Sequence, residues 1–312
     1  MVGFCLVSYS VGCISLNLLS FYFTTADSLM KAIAVIITIA VLPTFFFLQE
    51  SPMFLYKTGQ VSRLVTTLNK IAKRNNAKLP KNYFENQLRL ETQGLDKDIV
   101  LERDISVNMD NPPQSPLHKL FFDREISMTL VALCVQSATI FMIYYGLTSS
   151  IGDLGLKSIQ LNGILLGFTQ LLGYLFMAYY GPTLKRVKAA KACLVIEILG
   201  ALVLLGLSKC KQTDQILVIQ SFVSTLWMTT TVSAHMSVLY MQNAESFPTE
   251  VRGLAIAFIL LFGKMSGATA PFIEEYTKSL GVHVLVGCSC TAFLALPLVM
   301  TLKETLGTKK VN

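Results

Sequence analysis

The sequence predicts an all-α integral membrane protein with about eight transmembrane helices, and three observations carry that expectation. Only 14% of its 312 residues are charged against 53% hydrophobic, where soluble domains hold roughly 25% charged residues. The apolar residues collect into runs of spanning length. The Lys and Arg residues gather between alternate runs, which is how membrane helices are oriented.

The runs fall at about 2–23, 29–49, 126–147, 159–181, 190–208, 214–241, 252–273 and 282–302. The first lacks a basic leading region and a small-residue cleavage site, so it reads as a spanning helix rather than a signal peptide. An even number of crossings puts both termini on one side. The 50–125 segment holds a dozen bases, among them Lys57, Arg63, Lys70, Lys73 and Arg74. The 182–191 turn adds Lys185, Arg186, Lys188 and Lys191, and the tail ends in Lys309 and Lys310. The alternate loops carry only Lys31, Lys157, Lys209, Lys211 and Lys278. The richer set, and with it both termini and the 243–252 turn, is expected in the cytosol.

Residues 50–125 are the one substantial soluble stretch. Leu64, Val65, Leu68 and Ile71 recur at helical spacing between Ser62 and Arg74, which predicts a cytosolic amphipathic helix. The Pro-rich 104–116 stretch reads as a linker. The expected organisation is therefore two helices in 1–49, a loop over 50–125, six helices in 126–302 and a tail over 303–312.

Composition excludes other classes of function. The seven cysteines lie almost all inside apolar runs, where they act as small hydrophobes, and no Cys/His spacing resembles a zinc site. A Gly-rich phosphate loop, a nucleophile elbow and a basic–aromatic surface for nucleic acid are all missing from the sequence. We expect no enzyme chemistry, no cofactor, no metal and no nucleic-acid partner; the lipid bilayer is the surrounding medium.

Several polar residues sit where polarity is costly. Lys264 lies about twelve residues past Arg252, hence about 18 Å along a helix crossing a roughly 30 Å core. A lysine there costs about 2.5–3.5 kcal/mol, so it should face a wet cavity or a partner. Gly263 and Gly267 flank it at the small-xxx-small spacing of close helix packing. Thr230, Ser233 and Ser237, with Tyr240 beside them, share one helical face. They read either as cavity lining or as hydroxyls bonded back to their own helix. His235 reads as an interhelical hydrogen bond or a proton relay. Asn162 and Gln170 read as interhelical glue. Glu197 is the one acid within the apolar parts of the last six runs, expected near the cytosolic end of its helix. Glu245 and Arg252 flank the Pro248–Thr249 helix start, in a turn that is either solvated or paired.

Four motifs then converge on one family. Gln49-Glu-Ser-Pro-Met-Phe-Leu55, Ile143-Tyr-Tyr-Gly-Leu147, Asn243-Ala-Glu-Ser-Phe-Pro-Thr-Glu-Val-Arg252 and Glu304-Thr-Leu-Gly307 stand in order at intervals of apolar helix. They resemble, respectively, the motif after the sixth helix, the seventh helix, the ten-to-eleven turn and the closing motif of the organic ion transporters of the major facilitator superfamily. The resemblance covers nearly the whole chain and aligns residue 1 with the start of the fifth helix. It implies an N-terminally incomplete major facilitator fold, whose midplane cavity between two halves would be completed by missing N-terminal helices or by a full-length carrier.

The resemblance also assigns expected roles. Tyr144 and Tyr145 match aromatic lining positions of the seventh helix, and Ser237 matches a substrate position of the tenth. Lys264 falls where anion-preferring members carry arginine and cation-preferring ones aspartate; the base that many anion carriers hold in the eighth helix is Gly173 here. Glu245 and Arg252 are expected to form a cytosolic gate with Lys185 and Arg186, although the acid that precedes that basic turn in the family is replaced by Tyr180-Gly-Pro182. The function implied is alternating-access transport of small organic ions, anions favoured, across the plasma membrane. The alternatives are a sugar-type carrier and a truncated, non-transporting membrane scaffold.

Overall fold

A computed structural model describes residues 2–23, 25–47, 60–77, 116–153, 158–211 and 213–304, together with Glu50, Pro52, Leu55, Tyr83 and Phe84. The rest of the 49–55 motif, the 104–115 linker, Lys57, Lys157, Lys309, Lys310, residues 305–307 of the closing motif and the side chain of Glu250 lie outside the described residues.

The elements in order are α1 (Val2–Tyr22), α2 (Ala26–Phe47), α3 (Val61–Arg74), α4 (Pro116–Phe122), α5 (Arg124–Ser149), α6 (Ile159–Tyr180), α7 (Arg186–Lys209), α8 (Asp214–Phe222), α9 (Thr229–Glu245), α10 (Thr249–Gly267), α11 (Ala270–Ser279) and α12 (Val284–Met300). In hydrocarbon every backbone N–H and C=O must find a partner within the chain, which is why spanning segments of this composition are helices. Six described helices or joined pairs are long and apolar enough to cross a bilayer, from Phe4–Tyr22 to Val251–Ser279. Ala26–Phe47, with 22 residues, has crossing length as well, and Val284–Met300 is shorter.

By contacts the described chain divides into two compact units. One comprises residues 25–114 and contains α2 and α3. In it α3 forms where the apolar spacing placed it, with Leu64 and Leu55 buried. The other comprises residues 1–24 and 115–312, so α1 packs with the helices of the second half of the chain. Its seat on α6 is glycine: a Cβ at Gly167 would meet Ile14 at 2.8 Å, and one at Gly163 would collide with the Asn17 side chain.

Three interruptions depart from the expected uniform crossings. The 214–241 helix contains a π-helical turn, Val223–Met228, between α8 and α9. Thr229 Oγ1 donates to the Ser224 carbonyl at 3.3 Å, five residues back, and closes that wide turn. The 252–273 run is two helices, because Pro271 lacks an N–H and disfavours helix before it; the break falls at Ala268–Thr269, and Pro271 stands in the first turn of α11. Pro297 interrupts the hydrogen bonding of α12.

The polarity of the larger unit is turned inward. Gln136, Ser137, Asn162, Gln170, Glu197 and His235 are all 3% exposed or less, while Phe168, Leu202, Val218 and Leu261 face outward. That is the arrangement expected when lipid rather than water surrounds the bundle.

Candidate functional site

Lys264 stands near the middle of the Val251–Ser279 crossing, one turn before the break between α10 and α11. Its position is set by the two glycines beside it. A Cβ at Gly263 would run into Phe141 and Ser137, and one at Gly267 into the Tyr145 ring, so α10 lies close against α5. The ammonium thereby reaches the aromatic face of α5. Lys264 Nζ donates to Tyr145 Oη at 2.9 Å and sits 4.6 Å from the Phe141 ring centroid and 5.3 Å from that of Tyr145. Cation–π contacts of this kind contribute about 0.5–2 kcal/mol each, less than a charge at this depth costs. Among the described residues Lys264 has no carboxylate partner.

Tyr144 stands edge-on to Tyr145, with centroids 5.5 Å apart, and shares a 2.8 Å hydrogen bond with Tyr9 of α1. Gln170 of α6 and Tyr240 of α9 stand near this cluster. The structure therefore brings Lys264, Tyr144 and Tyr145 into one aromatic cluster. Tyr9 belongs to it too, and no local signal in α1 distinguishes that tyrosine.

Thr230 and Ser233 lie against α6, and Ser237 stands one turn further along α9. Thr230 Oγ1 donates to the Thr169 carbonyl of α6 at 3.2 Å. Ser233 donates to the Thr229 carbonyl at 2.8 Å and Ser237 to the Ser233 carbonyl at 3.3 Å, and both are buried. Gly173 permits this packing: a Cβ there would strike the Thr230 carbonyl and come within 2.9 Å of Ser233.

Of the four gating candidates, Arg186 and Glu245 bond to one another, where the start of α7 meets the end of α9. Arg186, buried at the start of α7, holds Glu245 at the end of α9 through Nε at 3.1 and 3.3 Å and Nη2 at 3.0 Å. Its Nη1 donates to the carbonyls of Gly181 and Leu184. Glu304 joins from the closing motif, where its Oε1 accepts from the Arg186 backbone N–H at 2.6 Å and satisfies an orphan donor of the helix N-terminus. Arg252 clamps the 243–252 turn, with Nε and Nη2 both 3.1 Å from the Phe247 carbonyl. Lys185, exposed at the helix cap, forms no part of this cluster. All of these residues belong to the larger unit. Glu304 was legible only as a motif member, because its target is a backbone group.

Glu197 stands at the middle of α7 rather than near its end, and pairs with His235 at 2.8 Å. A cleft of about 740 Å³ between residues of α6, α8 and α12 is lined by none of the ten expected site residues, although Thr169, whose carbonyl accepts from Thr230, is part of its wall. Much of its lining, such as Leu217, Val218 and Phe222, is outward-facing and apolar. The Lys264 cluster, with its unneutralised charge, is the stronger candidate for ligand recognition.

Comparison with known proteins agrees with this architecture. The sugar (and other) transporter family matches residues 3–312. Solute carrier family 22 member 15 of Xenopus tropicalis is 33% identical over 135 residues, covering 42% of this chain and 25% of the relative. The organic cation transporter-like protein of Drosophila melanogaster is 21% identical over 261 residues, covering 84% of this chain and 44% of the relative. The chain thus spans less than half the length of these two relatives. With its match running from residue 3 to residue 312 and its inward-polar helical bundle, the chain belongs to the sugar (and other) transporter family and has the multi-pass membrane fold of the major facilitator superfamily.

Proposed function

We propose that this chain contributes to a carrier that moves small organic ions by alternating access, with organic anions as the preferred substrates. The observation that carries the reading is Lys264, a mid-span ammonium held by aromatic faces and a phenol with no carboxylate among the described residues to neutralise it. A substrate carboxylate or sulfonate would supply the missing charge, and Tyr144, Tyr145 and Phe141 offer flat apolar surface to an attached ring. Thr230, Ser233 and Ser237 would act as the wall behind this site, and Arg186, Glu245 and Arg252, with Lys185 beside them, as the gate at one end. Residues 1–49 would supply two helices of the first half, 50–125 the loop, 126–302 the second half and 303–312 the tail. The carrier would lie in the plasma membrane.

The name of the Drosophila relative points to cations and the family description to sugars. The sign of Lys264 argues against the first, and the charge itself against the second, since an uncharged sugar leaves it unpaired. The test is uptake by cells expressing the protein, with one aromatic organic anion, one organic cation and one hexose supplied in parallel. Saturable accumulation of the anion alone is the expected result. Hexose uptake without anion uptake would replace the proposal with a sugar carrier, and no uptake of any of the three would leave the scaffold reading.

The distribution of Lys and Arg supports cytosolic termini and a cytosolic 243–252 turn. An N-glycosylation acceptor inserted beside Asp153 is expected to be modified in cells, and one beside Asn108 to remain unmodified. The reverse pattern would invert the orientation.

A further inference from the structure

The sealed interior of the larger unit holds an ionisable pair that the proposed transport site leaves unused. Glu197 of α7 and His235 of α9 are both fully buried, with Oε1 and Nδ1 2.8 Å apart. His235 Nε2 faces Gln136 Nε2 of α5 at 3.1 Å, and that same amide nitrogen donates to Gln242 Oε1 of α9 at 2.9 Å. Glu197 Oε2 has no hydrogen-bond partner among the described residues, and neither has Gln136 Oε1.

The donor and acceptor pattern counts the protons. With the Gln136 amide in this assigned orientation, its NH₂ group gives one hydrogen to Gln242 and one to the imidazole, so His235 Nε2 is an acceptor and carries none. The ring is then neutral with its proton on Nδ1, donated to Glu197 Oε1. With an ionised Glu197 the group would hold one uncompensated negative charge, deep among apolar helices and with one oxygen unbonded. Such a charge is strongly disfavoured at this depth, and one added proton removes it.

We propose that Glu197 and His235 form a proton-binding site of this protein, with the exchangeable proton carried on Glu197 Oε2. Binding forms one O–H bond, takes the pair from a charge of −1 to zero, and leaves the proton on His235 Nδ1 in place. The other titratable groups on the elements packed here are Cys193 beside Glu197 on α7, Cys134, Tyr144 and Tyr145 on α5, Tyr174 and, at the helix end, Tyr179 and Tyr180 on α6, Tyr240 on α9, and Cys288 and Cys290 on α12; Lys264 lies on α10. The remaining charges of these helices, Arg186 and Glu245 among them, lie toward the helix ends. Gln242 and Asn243, both buried, carry the polar line from the pair to the end of α9 at Glu245, and both side-chain polar atoms of Asn243 lack partners among the described residues.

The three helices that meet at this pair also carry the other sites. Helix α7 begins with Arg186, α9 ends with Glu245, and α5 bears Tyr144 and Tyr145. A proton bound more tightly in one arrangement of these helices than in another biases their equilibrium, whichever organic ion is carried. The proposal thus adds a proton as a second ligand and does not rest on the identity of the first.

Two measurements on the protein in lipid nanodiscs test it without transport. Nitrogen-15 labelling of histidine gives three residues to resolve, because the chain contains three. The expected signal of His235 is that of a neutral Nδ1–H tautomer. Acid-minus-base infrared difference spectra are expected to show a protonated-carboxyl carbonyl band that is lost in Glu197→Gln and retained in Glu275→Gln. Should Glu197→Gln fail to accumulate, His235→Gln serves instead, since it leaves the carboxyl in place and is expected to shift the band without abolishing it. An imidazolium signal at His235 would overturn the placement of the proton. A difference spectrum indifferent to both Glu197→Gln and His235→Gln would overturn the site.

Discussion

Lys264→Asp is expected to abolish organic-anion uptake while leaving the protein at the membrane, and Lys264→Ala to reduce that uptake by at least about tenfold. The size follows from the Coulomb term. Two unit charges about 4 Å apart at an effective dielectric of about 20 interact by about 4 kcal/mol, and a third of that is already a tenfold change in binding. The aspartate variant reverses the sign of the interaction, so its effect exceeds that of alanine. Lys264→Arg should retain much of the uptake, because charge is kept while the fork changes only the geometry. The measurement is initial uptake rate against concentration for one anion and one cation, normalised to surface protein. Anion uptake that survives both Ala and Asp undiminished would remove Lys264 from the site. Loss of anion and cation uptake alike would point to a packing defect at the α5–α10 contact instead.

Arg186→Ala is expected to lower both thermal stability and maximal rate, with little change in the concentration for half-maximal uptake. Arg186 ties four groups at one end of the bundle: the Gly181 and Leu184 carbonyls, the Glu245 carboxylate and, through its own backbone, Glu304. Truncation leaves the partly buried Glu245 without this partner; its side chain is 33% exposed. Breaking a fully buried pair costs about 3–5 kcal/mol, and with one partner partly solvated about 2 kcal/mol is the appropriate scale. That corresponds to roughly a thirtyfold shift in the population of the arrangement it holds. Glu245→Gln should act in the same direction and less strongly, because an amide still accepts from the guanidinium. A variant with altered substrate affinity and normal maximal rate would place this cluster in substrate binding. The exposed Lys303–Glu125 pair at 2.8 Å, with both side chains more than three-quarters exposed, is by contrast expected to contribute under about 1 kcal/mol.

The transmembrane organisation was legible because its signals are local. Each apolar run encodes its own helix, Asp123 caps α5 by accepting from the Glu125 and Ile126 N–H groups, and the spacing of Leu64, Leu68 and Ile71 laid out α3. Lys264 was equally legible, since a cation in the middle of an apolar run stands out without knowledge of its neighbours. The hydroxyl stripe was ambiguous for a physical reason. Thr230, Ser233 and Ser237 share a face by helical periodicity, but only the partner surface decides whether that face meets a cavity or a helix; here Gly173 of α6 closes against it.

What the sequence determined by itself is therefore the run of apolar helices and the rarity of charge within them. Those properties depend on composition and on periods of a few residues. The tertiary structure alone decided the partners: Tyr145 for Lys264, Glu245 and Glu304 for Arg186, and His235 for Glu197. Each pair joins residues far apart in sequence, and its register depends on how closely α5, α6, α7 and α10, which carry the glycines, can approach one another and α9. A helix of period 3.6 specifies which residues share a face. Which face meets which is fixed by packing, and packing is a property of the bundle.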